Sequence, residues 1–365
     1  MLAKLMRWIT HAVVSVLLAT LALSCAAGHG ALSIPGTRPA TRPLAERPPS
    51  TQPVERLDFI AFGDWGQLND AQRKVAATLR DYVRVQKRDP AVNFAGAFTA
   101  GDNIYLRNVT GYDDPRLRQL FADMYDAAVL DFPFYMSLGN HDFEDGKLQI
   151  ELGYGAYEPT GRWTMPDRYY RLDLPAGTAH PLVTVLMLDS TKDKMKPEEW
   201  AKQNDWIDHE LRRPRVAPWV IAVAHHPLYS NGDHGDTGPL QVAWGDLFMR
   251  GNLDMYVAGH DHDIQHLEID GFKSTSFVMV GGGGAKVRPM RNSKRGPFSR
   301  QSFGFGHFTF TPEKMIVRLV DDGGQVVHAF ERERGSGEMR IIENSPSDPA
   351  TPRTPKSINR PDAGD

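Results

Sequence analysis

The stretch "VNFAGAFTAGDNIY" at residues 92–105 is the most informative part of the chain, because an apolar run ends there abruptly in polar residues. Such a run, bounded by glycine and containing aromatic or β-branched residues, predicts a buried strand. Asp102 and Tyr105 lie in the loop that follows. Tyr105 is either a packed aromatic side chain or, with Asp102, one of two hard oxygen donors of the kind that a ferric ion prefers.

The same pattern, a strand followed by polar residues, recurs along the chain. The other runs are "LDFIAFGDWG" with Asp64, "FPFYMSLGNHD" with Asn140 and His141, "WVIAVAHHP" with His225 and His226, and "LDMYVAGHDH" with His260 and His262. Helices are predicted at 69–85, with Asn69 as N-cap, and at 197–211. Strands that alternate with helices predict an α/β fold, whose ligands gather beyond the carboxyl ends of the strands. Later strands at 277–280, 306–312 and 314–322 have no helices between them and predict an added antiparallel region.

The two ends of the chain differ from this central part. Residues 1–25 combine Lys4, Arg7 and a short apolar run, which is typical of an export signal. Cys25, the only cysteine, is either an incidental signal-peptide residue or the lipidated residue of a lipobox, the reading we favour. Residues 26–56, rich in Pro, Thr and Arg, predict a disordered tether, and 335–365 predict a disordered tail. One folded domain is therefore predicted at 57–334, exported to the cell envelope and facing the periplasm or the exterior.

Composition limits the possible functions. The chain has 365 residues and a formal net charge of −3, with 41% hydrophobic residues. A near-neutral balance argues against a nucleic-acid-binding surface, which usually shows a basic excess. We expect a monomer that contacts a membrane only through a lipid anchor at Cys25.

The polar residues at the strand ends are metal-binding types. Asp, Asn, Tyr and His without cysteine indicate first-row metals held by oxygen and imidazole. They offer more donors than one tetrahedral ion needs, so a two-metal centre is predicted. Each motif alone is weak evidence for a metal site. Five such motifs in order, each at the end of a predicted strand, are specific evidence for one.

With these motifs, residues 57–334 resemble the metallophosphoesterase superfamily, and within it the small tartrate-resistant, mammalian-type purple acid phosphatases. "RWTMPDRYYRL" and "VLMLDS" are similar to core segments of that family. The resemblance implies an αββα sandwich of two mixed sheets flanked by helices, with a binuclear metal site at the carboxyl ends of the strands. It also implies hydrolysis of small phosphate monoesters at acidic pH by metal-bound hydroxide.

The resemblance also assigns ligands. Most metallophosphoesterases begin with Asp-x-His, but here the first loop has Gly66 in place of that histidine, and the tyrosine of Gly-Asp-x-x-Tyr, Tyr105, supplies the missing donor. The resemblance implies that Fe(III) binds Asp64, Asp102, Tyr105 and His262. It further implies that a divalent ion (Fe, Zn or Mn) binds Asp102, Asn140, His225 and His260, with Asp102 bridging.

Other residues receive roles from the same resemblance. His141 is expected to face the substrate phosphate and His234 to lie near the leaving group. His226 is interpreted as a packing or outer-layer histidine, because the family commonly has an aromatic residue there. Asp142 either orients His141 or a ligand, or is a solvated acid in a turn.

The glycine-rich segment Val280–Arg291 is expected to be a flexible rim loop, since it lacks the following helix of a phosphate-binding P-loop. Its Lys286 and Arg288 either attract anionic substrates or are solvated charges.

Two other functions stay open from the sequence. One is a phosphodiesterase or nucleotide hydrolase with two divalent metals, and the other is an envelope-tethered protein that binds metal or phosphate without turnover. Gly66 and Tyr105 argue against the first alternative. The presence of both His141 and His234 argues against the second.

Overall fold

The structure is a computed structural model that describes residues 54–292 and 295–349. The predicted export signal, Cys25, the tether up to residue 53 and the tail from residue 350 lie outside the described residues. No helix within the described part of the chain is both long and apolar enough to cross a membrane.

Two mixed sheets form the centre of the molecule. The first has the strand order β15-β14-β13-β12-β1-β2-β3-β4 and the second the order β11-β9-β10-β8-β7-β6-β5. Strands of the first sheet are β1 (Leu57–Phe62), β2 (Phe94–Thr99), β3 (Phe134–Met136), β4 (Trp163–Thr164), β12 (Gly304–Phe310), β13 (Lys314–Asp321), β14 (Val326–Glu333) and β15 (Met339–Asn344). Strands of the second are β5 (Tyr170–Leu174), β6 (Val183–Met187), β7 (Trp219–Val223), β8 (Met255–Ala258), β9 (Ile264–Glu268), β10 (Ser276–Val280) and β11 (Phe298–Arg300).

Helices cover the outer faces of both sheets. They are α1 (Asp70–Gln86), α2 (Pro115–Leu120), α3 (Lys147–Tyr154), α4 (Pro197–Arg212) and α5 (Gly238–Arg250). One apolar core lies between the two sheets, a second packs α1, α2 and α3 on the first sheet, and a third packs α4 and α5 on the second sheet. The central strands of each sheet are therefore buried on both faces, and the predicted αββα sandwich is confirmed.

Both helices predicted from periodicity are present. The Asn69 side chain accepts a hydrogen bond from the backbone N–H of Gln72 and caps α1, whose predicted inner face is buried. In α4, Trp200 and Ile207 are buried, while Leu211 packs on the same core but stays partly exposed. The strands β12 and β13 are antiparallel as predicted. In contrast, β10 joins the second sheet, parallel to β8 and antiparallel to β9.

The prediction of disorder from residue 335 is wrong for the part of the tail that the structure describes. Strand β15 pairs antiparallel with β14 at the edge of the first sheet. Its side chains are partly or fully exposed, so its composition looks like that of a solvated segment. Backbone hydrogen bonds to the sheet edge, with the Arg340–Glu331 and Asn344–His328 contacts, hold it in place.

The fold brings five loops to one edge. In the first sheet, β1, β2 and β3 are parallel, and in the second, β7 and β8 are parallel. The two sheets meet at this edge, where the N–H of Gly63 donates to the carbonyl of Val280 at 2.8 Å. The carboxyl ends of all five strands therefore open onto one region, as the sequence pattern predicts.

Candidate metal centre

Several predicted ligands have unusual backbone geometry directly after their strands. Asp64, Asp102 and His260 adopt φ values of 56°, 51° and 69°. Left-handed backbone is uncommon for residues other than glycine and costs about 1 kcal/mol or more, so it persists only where the surrounding structure imposes it. These three turns redirect the chain so that the side chains point across the strand ends.

The two aspartates are held in the same way. One oxygen of Asp64 accepts the backbone N–H of His260 at 2.8 Å, and one oxygen of Asp102 accepts the backbone N–H of His141 at 2.9 Å. A Cβ on Gly139 would lie 2.2 Å from that Asp102 oxygen, so only glycine fits there. Each carboxylate is thereby fixed and presents its second oxygen to the centre of the site.

Gly66 explains how Tyr105 is placed. The N–H of Tyr105 donates to the carbonyl of Gly66 at 2.9 Å, and a Cβ on Gly66 would lie 2.0 Å from the Asn103 carbonyl oxygen. The first loop therefore lies flat on the second and has no room for a side chain at position 66. The phenol oxygen of Tyr105 projects into the site and donates to Asp102 at 2.8 Å.

Two histidines are oriented by main-chain carbonyls. Nδ1 of His225 donates to the Ala100 carbonyl, and Nδ1 of His262 donates to the Lys286 carbonyl, both at 2.8 Å. A carbonyl can only accept, so in the neutral rings the proton resides on Nδ1 and Nε2 carries a lone pair. Metal-binding histidines are commonly fixed by such contacts.

The first predicted donor set is assembled in the structure. The Asp64 Oδ1 atom lies 3.3 Å from both the Tyr105 oxygen and His262 Nε2, and these last two atoms are 3.4 Å apart. Donors that share one ion at about 2.1 Å are separated by about 3.0–3.4 Å in octahedral or tetrahedral geometry. Together with Asp102 Oδ2, these atoms fit one small cation.

The second donor set shares the same Asp102 oxygen. His225 Nε2 lies 3.4 Å from Asp102 Oδ2, 3.0 Å from Asn140 Oδ1 and 3.2 Å from His260 Nδ1. Asp102 Oδ2 thus touches both sets, which is the position of a bridging ligand. The structure brings together all seven residues predicted as ligands, while their binding of metal stays a prediction.

The chemistry of these donors fits two cations. Lone pairs on Nε2 of His225 and His262 face carboxylate oxygens, an arrangement that requires a proton or a metal ion between them. Burial opposes protonation of His225, but Asp102 and Asp64 outweigh it and raise its pKa. Burial, with the nearby Asp64 charge, raises the pKa of Asp102, and burial together with Asp102 and Asp64 raises that of Tyr105 well above its usual value. A cation relieves all of these conflicts at once.

His141 lies beside this centre, with its ring 4.5 Å from that of Tyr105. Its Nδ1 lies 3.0 Å from a carboxylate oxygen of Glu144, a partner that the sequence did not indicate. Asp142 is fully buried and accepts hydrogen bonds from the backbone N–H groups of Gly139, Asn103 and Ile104. The option of a solvated acid is therefore wrong. These contacts join the second and third loops and fit the other option, that Asp142 orients a candidate ligand, because Asn103 and Ile104 lie between Asp102 and Tyr105.

A buried polar layer supports the second loop from below. The Asn103 side chain donates to Glu151 at 3.0 Å and to the Ser137 carbonyl at 2.7 Å. Burial, together with the Asp142 charge, raises the pKa of Glu151 well above its usual value, which favours its neutral form. Lys147, also fully buried, donates to the Ile104 carbonyl at 2.7 Å. These contacts fix the loop that carries Asp102 and Tyr105.

His234 lies at the other side of the site and stacks on His260 with ring centres 4.1 Å apart. The carboxylate of Asp261, fully buried, accepts the backbone N–H of His234 at 2.8 Å and a short hydrogen bond from Ser230. Burial lowers the pKa of His234. Asp261 was not singled out from the sequence, although it lies between two predicted ligands.

His226 is closer to the second donor set than a packing residue needs to be. Its Nδ1 contacts Ser190 Oγ at 2.9 Å, and its ring centre lies 4.4 Å from that of His260. His225, His226 and His260 together could hold an ion. The interpretation of His226 as a non-ligand stays a prediction.

The glycine-rich segment differs from the predicted flexible loop. Gly281–Ala285 are buried, and a Cβ on Gly283 would lie 2.3 Å from the Gly63 carbonyl oxygen. The glycines permit close backbone packing beneath the first loop, which explains why no helix is needed. Lys286 is exposed, whereas Arg288 is partly buried at the rim.

Comparison with known proteins identifies similar sequences. Residues 57–263 match the family described as calcineurin-like phosphoesterase. Tartrate-resistant acid phosphatase type 5 of Mus musculus is 25% identical over 299 residues, 75% of this chain and 90% of the relative. Purple acid phosphatase 17 of Arabidopsis thaliana is 26% identical over 297 residues, 75% of this chain and 83% of the relative.

Solved structures share the fold. GAP50, the anchor in the inner membrane complex of Plasmodium, superposes with a TM-score of 0.64 at 20% identity, covering 80% of this chain and 90% of GAP50. Purple acid phosphatase PPD1 from yellow lupin (Lupinus luteus) seeds gives a TM-score of 0.56 at 18% identity, over 85% of this chain and 58% of that protein. At these identities the likeness concerns the fold alone.

Proposed function

This chain belongs to the calcineurin-like phosphoesterase family, and we propose that it is an acid phosphatase that hydrolyses phosphate monoesters at a binuclear Fe(III)–M(II) centre. The curated relatives named acid phosphatases support the reaction. One structural observation supports the metal assignment. The Tyr105 phenol converges with Asp64, Asp102 and His262 on one point, and a side chain at position 66 would collide with the Asn103 carbonyl.

The donor types support a ferric ion in the first set and a divalent ion (Fe, Zn or Mn) in the second. Two carboxylates and a phenolate are hard, anionic oxygen donors that suit a trivalent cation. An amide oxygen, two imidazoles and a shared carboxylate suit a divalent one. When bound, the ions would lower the pKa of water and compensate the charge of phosphoryl oxygens. A trivalent ion lowers the pKa of water more than a divalent ion does, so hydroxide is available at lower pH.

Two histidine side chains, His141 and His234, have separate roles in the proposed reaction. In this proposal His141, whose Nδ1 lies 3.0 Å from a Glu144 carboxylate oxygen, donates a hydrogen bond to a phosphoryl oxygen and adds positive charge there. In this proposal His234, whose backbone N–H donates to Asp261, lies beside the departing oxygen and gives it a proton. The burial that lowers the pKa of His234 makes it a stronger acid once it is protonated, which occurs at acidic pH.

A two-metal phosphodiesterase or nucleotide hydrolase is the second candidate, since the same family fold and a paired donor set also serve diesters. A binding protein without turnover is the third. In favour of an enzyme, His141 and His234 occupy the rim beside the donor sets, where a sequestering site would need no further imidazoles.

The proposal is tested by loading the protein with iron and comparing p-nitrophenyl phosphate with bis(p-nitrophenyl) phosphate from pH 4 to 8. Faster turnover of the monoester, with its maximum below pH 7 and its loss on chelation, supports the proposal. Preference for the diester, or full activity with two divalent ions alone, supports the second candidate. Tight phosphate binding without turnover of either compound supports the third.

We also propose that the protein is exported and anchored by a lipid on Cys25, as a monomer that acts on small phosphate esters. The support is the sequence of the first residues. Mass spectrometry of the membrane fraction tests this proposal. A diacylglyceryl adduct on Cys25, absent from Cys25→Ser, is expected, and a soluble product cleaved after another residue would contradict it.

A further inference from the structure

His226 lies beside the second donor set, and neither the metal assignment nor the proposed reaction uses it. Its ring centre is 4.4 Å from that of His260 and 4.9 Å from that of His225. The side chain of His226 is only partly buried. An accessible imidazole at this position can contact a molecule that is bound at the second donor set.

A sixth loop holds the His226 ring in place. Strand β6 is parallel to β7, so its carboxyl end opens onto the same edge of the fold. Ser190 lies three residues after β6, and its side-chain oxygen accepts the backbone N–H of His226 at 2.8 Å and lies 2.9 Å from His226 Nδ1. The preceding residue, Asp189, exchanges two backbone hydrogen bonds with the buried Gln203 side chain. The contact between Ser190 and His226 therefore joins two fixed parts of the fold.

The hydroxyl proton of Ser190 determines which nitrogen of His226 is free. A serine hydroxyl has one proton to donate, and a buried donor without an acceptor is unfavourable. Ser190 is 3% exposed, and His226 Nδ1 is the one acceptor that its hydroxyl contacts among the residues that the structure describes. The hydroxyl therefore donates to Nδ1, and the proton of the neutral ring resides on Nε2. An Nε2 atom that carries a proton donates a hydrogen bond but offers no lone pair to a metal ion.

Nε2 of His226 has no hydrogen-bond partner within residues 54–292 and 295–349. A buried histidine with a structural role is different. His307 contacts the Tyr82 hydroxyl through Nδ1 and the Asp58 carboxylate through Nε2, both at 3.0 Å. The protein thus uses both nitrogens of His307 but only one of His226, whose free N–H is available to a ligand.

His226 and His141 lie beside different donor sets. His141 packs against Tyr105 of the first set, whereas His226 packs against His260 of the second set. A phosphate monoester has three terminal oxygens, so a phosphate bound across both sets can accept hydrogen bonds near each of them. Such a phosphate would have one imidazole next to each set.

We propose that His226 is a further substrate-binding residue, whose Nε2–H donates a hydrogen bond to a terminal phosphate oxygen next to the second donor set. This inference rests on the proposed function, which places the phosphate across the two sets. The acceptor is charged, so the bond belongs to the stronger class of protein hydrogen bonds. Ser190 acts as a positioning residue, because its hydroxyl keeps the proton of the His226 ring on Nε2.

The test measures the dissociation constant of inorganic phosphate by calorimetry, with the full, metal-loaded protein. His226→Phe keeps an aromatic ring but has no donor, so Kd should rise by about 10- to 100-fold, the effect of losing one hydrogen bond to a charged group. The value of kcat/KM for p-nitrophenyl phosphate should fall by a similar factor, since the contact is present in the bound substrate and in the transition state. His226→Gln, whose amide can donate from near the position of Nε2, should restore part of the affinity.

His180→Phe is the matched control. His180 is exposed and lies between β5 and β6, at the amino end of β6 and therefore at the opposite edge of the fold. This variant should change Kd less than about twofold, as expected for a surface substitution. The content of iron and of the second metal in His226→Phe, measured by elemental analysis, should equal that of the wild type.

Each other result overturns the inference in a distinct way. An unchanged Kd in His226→Phe would mean that Nε2–H does not reach the phosphate. Loss of the second metal from this variant would mean that His226 is a ligand, and melting curves exclude misfolding as the cause. Phosphate binding without turnover in the wild type would contradict the proposed hydrolysis alone, because the comparison of Kd values still decides the role of His226. If the wild type neither binds phosphate nor hydrolyses p-nitrophenyl phosphate, the proposed function and the inference both fail.

Discussion

Two groups of buried histidines in this molecule look alike in composition but differ in how their nitrogens are used. In the candidate metal centre, His225 and His260 lie with ring centres 5.0 Å apart. In a second group, which we call the inter-sheet cluster, His266 of β9 and His328 of β14 lie 5.1 Å apart. The members of that cluster are His266, Glu268, His328, Arg332 and Asn344.

All four ring nitrogens of the inter-sheet cluster have protein partners. His266 contacts Glu268 at 2.8 Å and His328 at 2.9 Å, and His328 contacts Asn344 at 2.9 Å. In the metal centre, one nitrogen of His225 is bonded to a carbonyl, and the other faces acceptor atoms. Saturated nitrogens indicate a structural role, while converging lone pairs indicate a site that needs an ion.

Removing the shared carboxylate oxygen should have the largest effect on activity. In Asp102→Asn, we expect kcat/KM for a phosphate monoester to fall by about 1,000-fold or more, because the proposed bridging ligand of the two ions loses its charge. The metal-free variant should unfold at the same urea concentration as the metal-free wild type or a higher one, since burial makes this charge unfavourable. A marked loss of metal-free stability would show that Asp102 has a structural role instead.

A substitution in the inter-sheet cluster should reduce stability and leave activity unchanged. Glu268 accepts two hydrogen bonds from Arg332, which is 2% exposed, so Glu268→Ala leaves a buried positive charge without its carboxylate. The free energy of unfolding should fall by about 3–5 kcal/mol, measured by urea denaturation. Activity per folded molecule should stay near that of the wild type. A loss of activity without a loss of stability would remove the distinction between the two groups.

The inter-sheet cluster should make the stability of the protein depend on pH. Burial, with the neighbouring His266, lowers the pKa of His328 to about 4. The unfolded chain therefore binds this proton first, and stability is complete above about pH 6.5 and falls as the pH drops toward about 4. The contribution of His328 over this range is about 3 kcal/mol. Urea denaturation of wild type and His328→Gln at pH 7 and 4.5 measures it, and equal pH dependence in both proteins would contradict the assignment.

The smallest effect is expected from the partner of His141. Glu144→Gln keeps a hydrogen-bond acceptor near Nδ1 but removes the charge, and Glu144 is 39% exposed. We expect kcat to fall by about 3- to 10-fold, because a partly exposed contact contributes little to the orientation of His141. Glu338→Gln, an exposed acid remote from the site, serves as the control for general charge effects. A kcat in Glu144→Gln equal to that of the wild type would mean that the contact does not orient His141.

The sequence indicated the candidate ligands but not the residues that support them. Asp64, Asn140 and His260 lie within four residues of the ends of their strands, so a local pattern is enough to find them. Glu144 and Asp261 act through contacts between loops, which no local pattern records. The polar residues of β15 did not predict a strand, because this strand is stabilised by pairing with β14 at the edge of the sheet. The run of glycines at Gly281–Gly284 is typical of a flexible loop. In the structure these positions need glycine because the backbone packs closely against its neighbours.

The central claim is that Tyr105 completes a ferric site, and the visible absorption spectrum of the iron-loaded, mildly oxidised protein tests it most directly. A tyrosinate bound to Fe(III) gives a purple charge-transfer band. We predict this band in the wild type and its loss in Tyr105→Phe, with the melting temperature of the variant nearly unchanged. A colourless wild type that still hydrolyses phosphate monoesters, or a band that persists in Tyr105→Phe, would contradict the claim and favour a centre of two divalent ions.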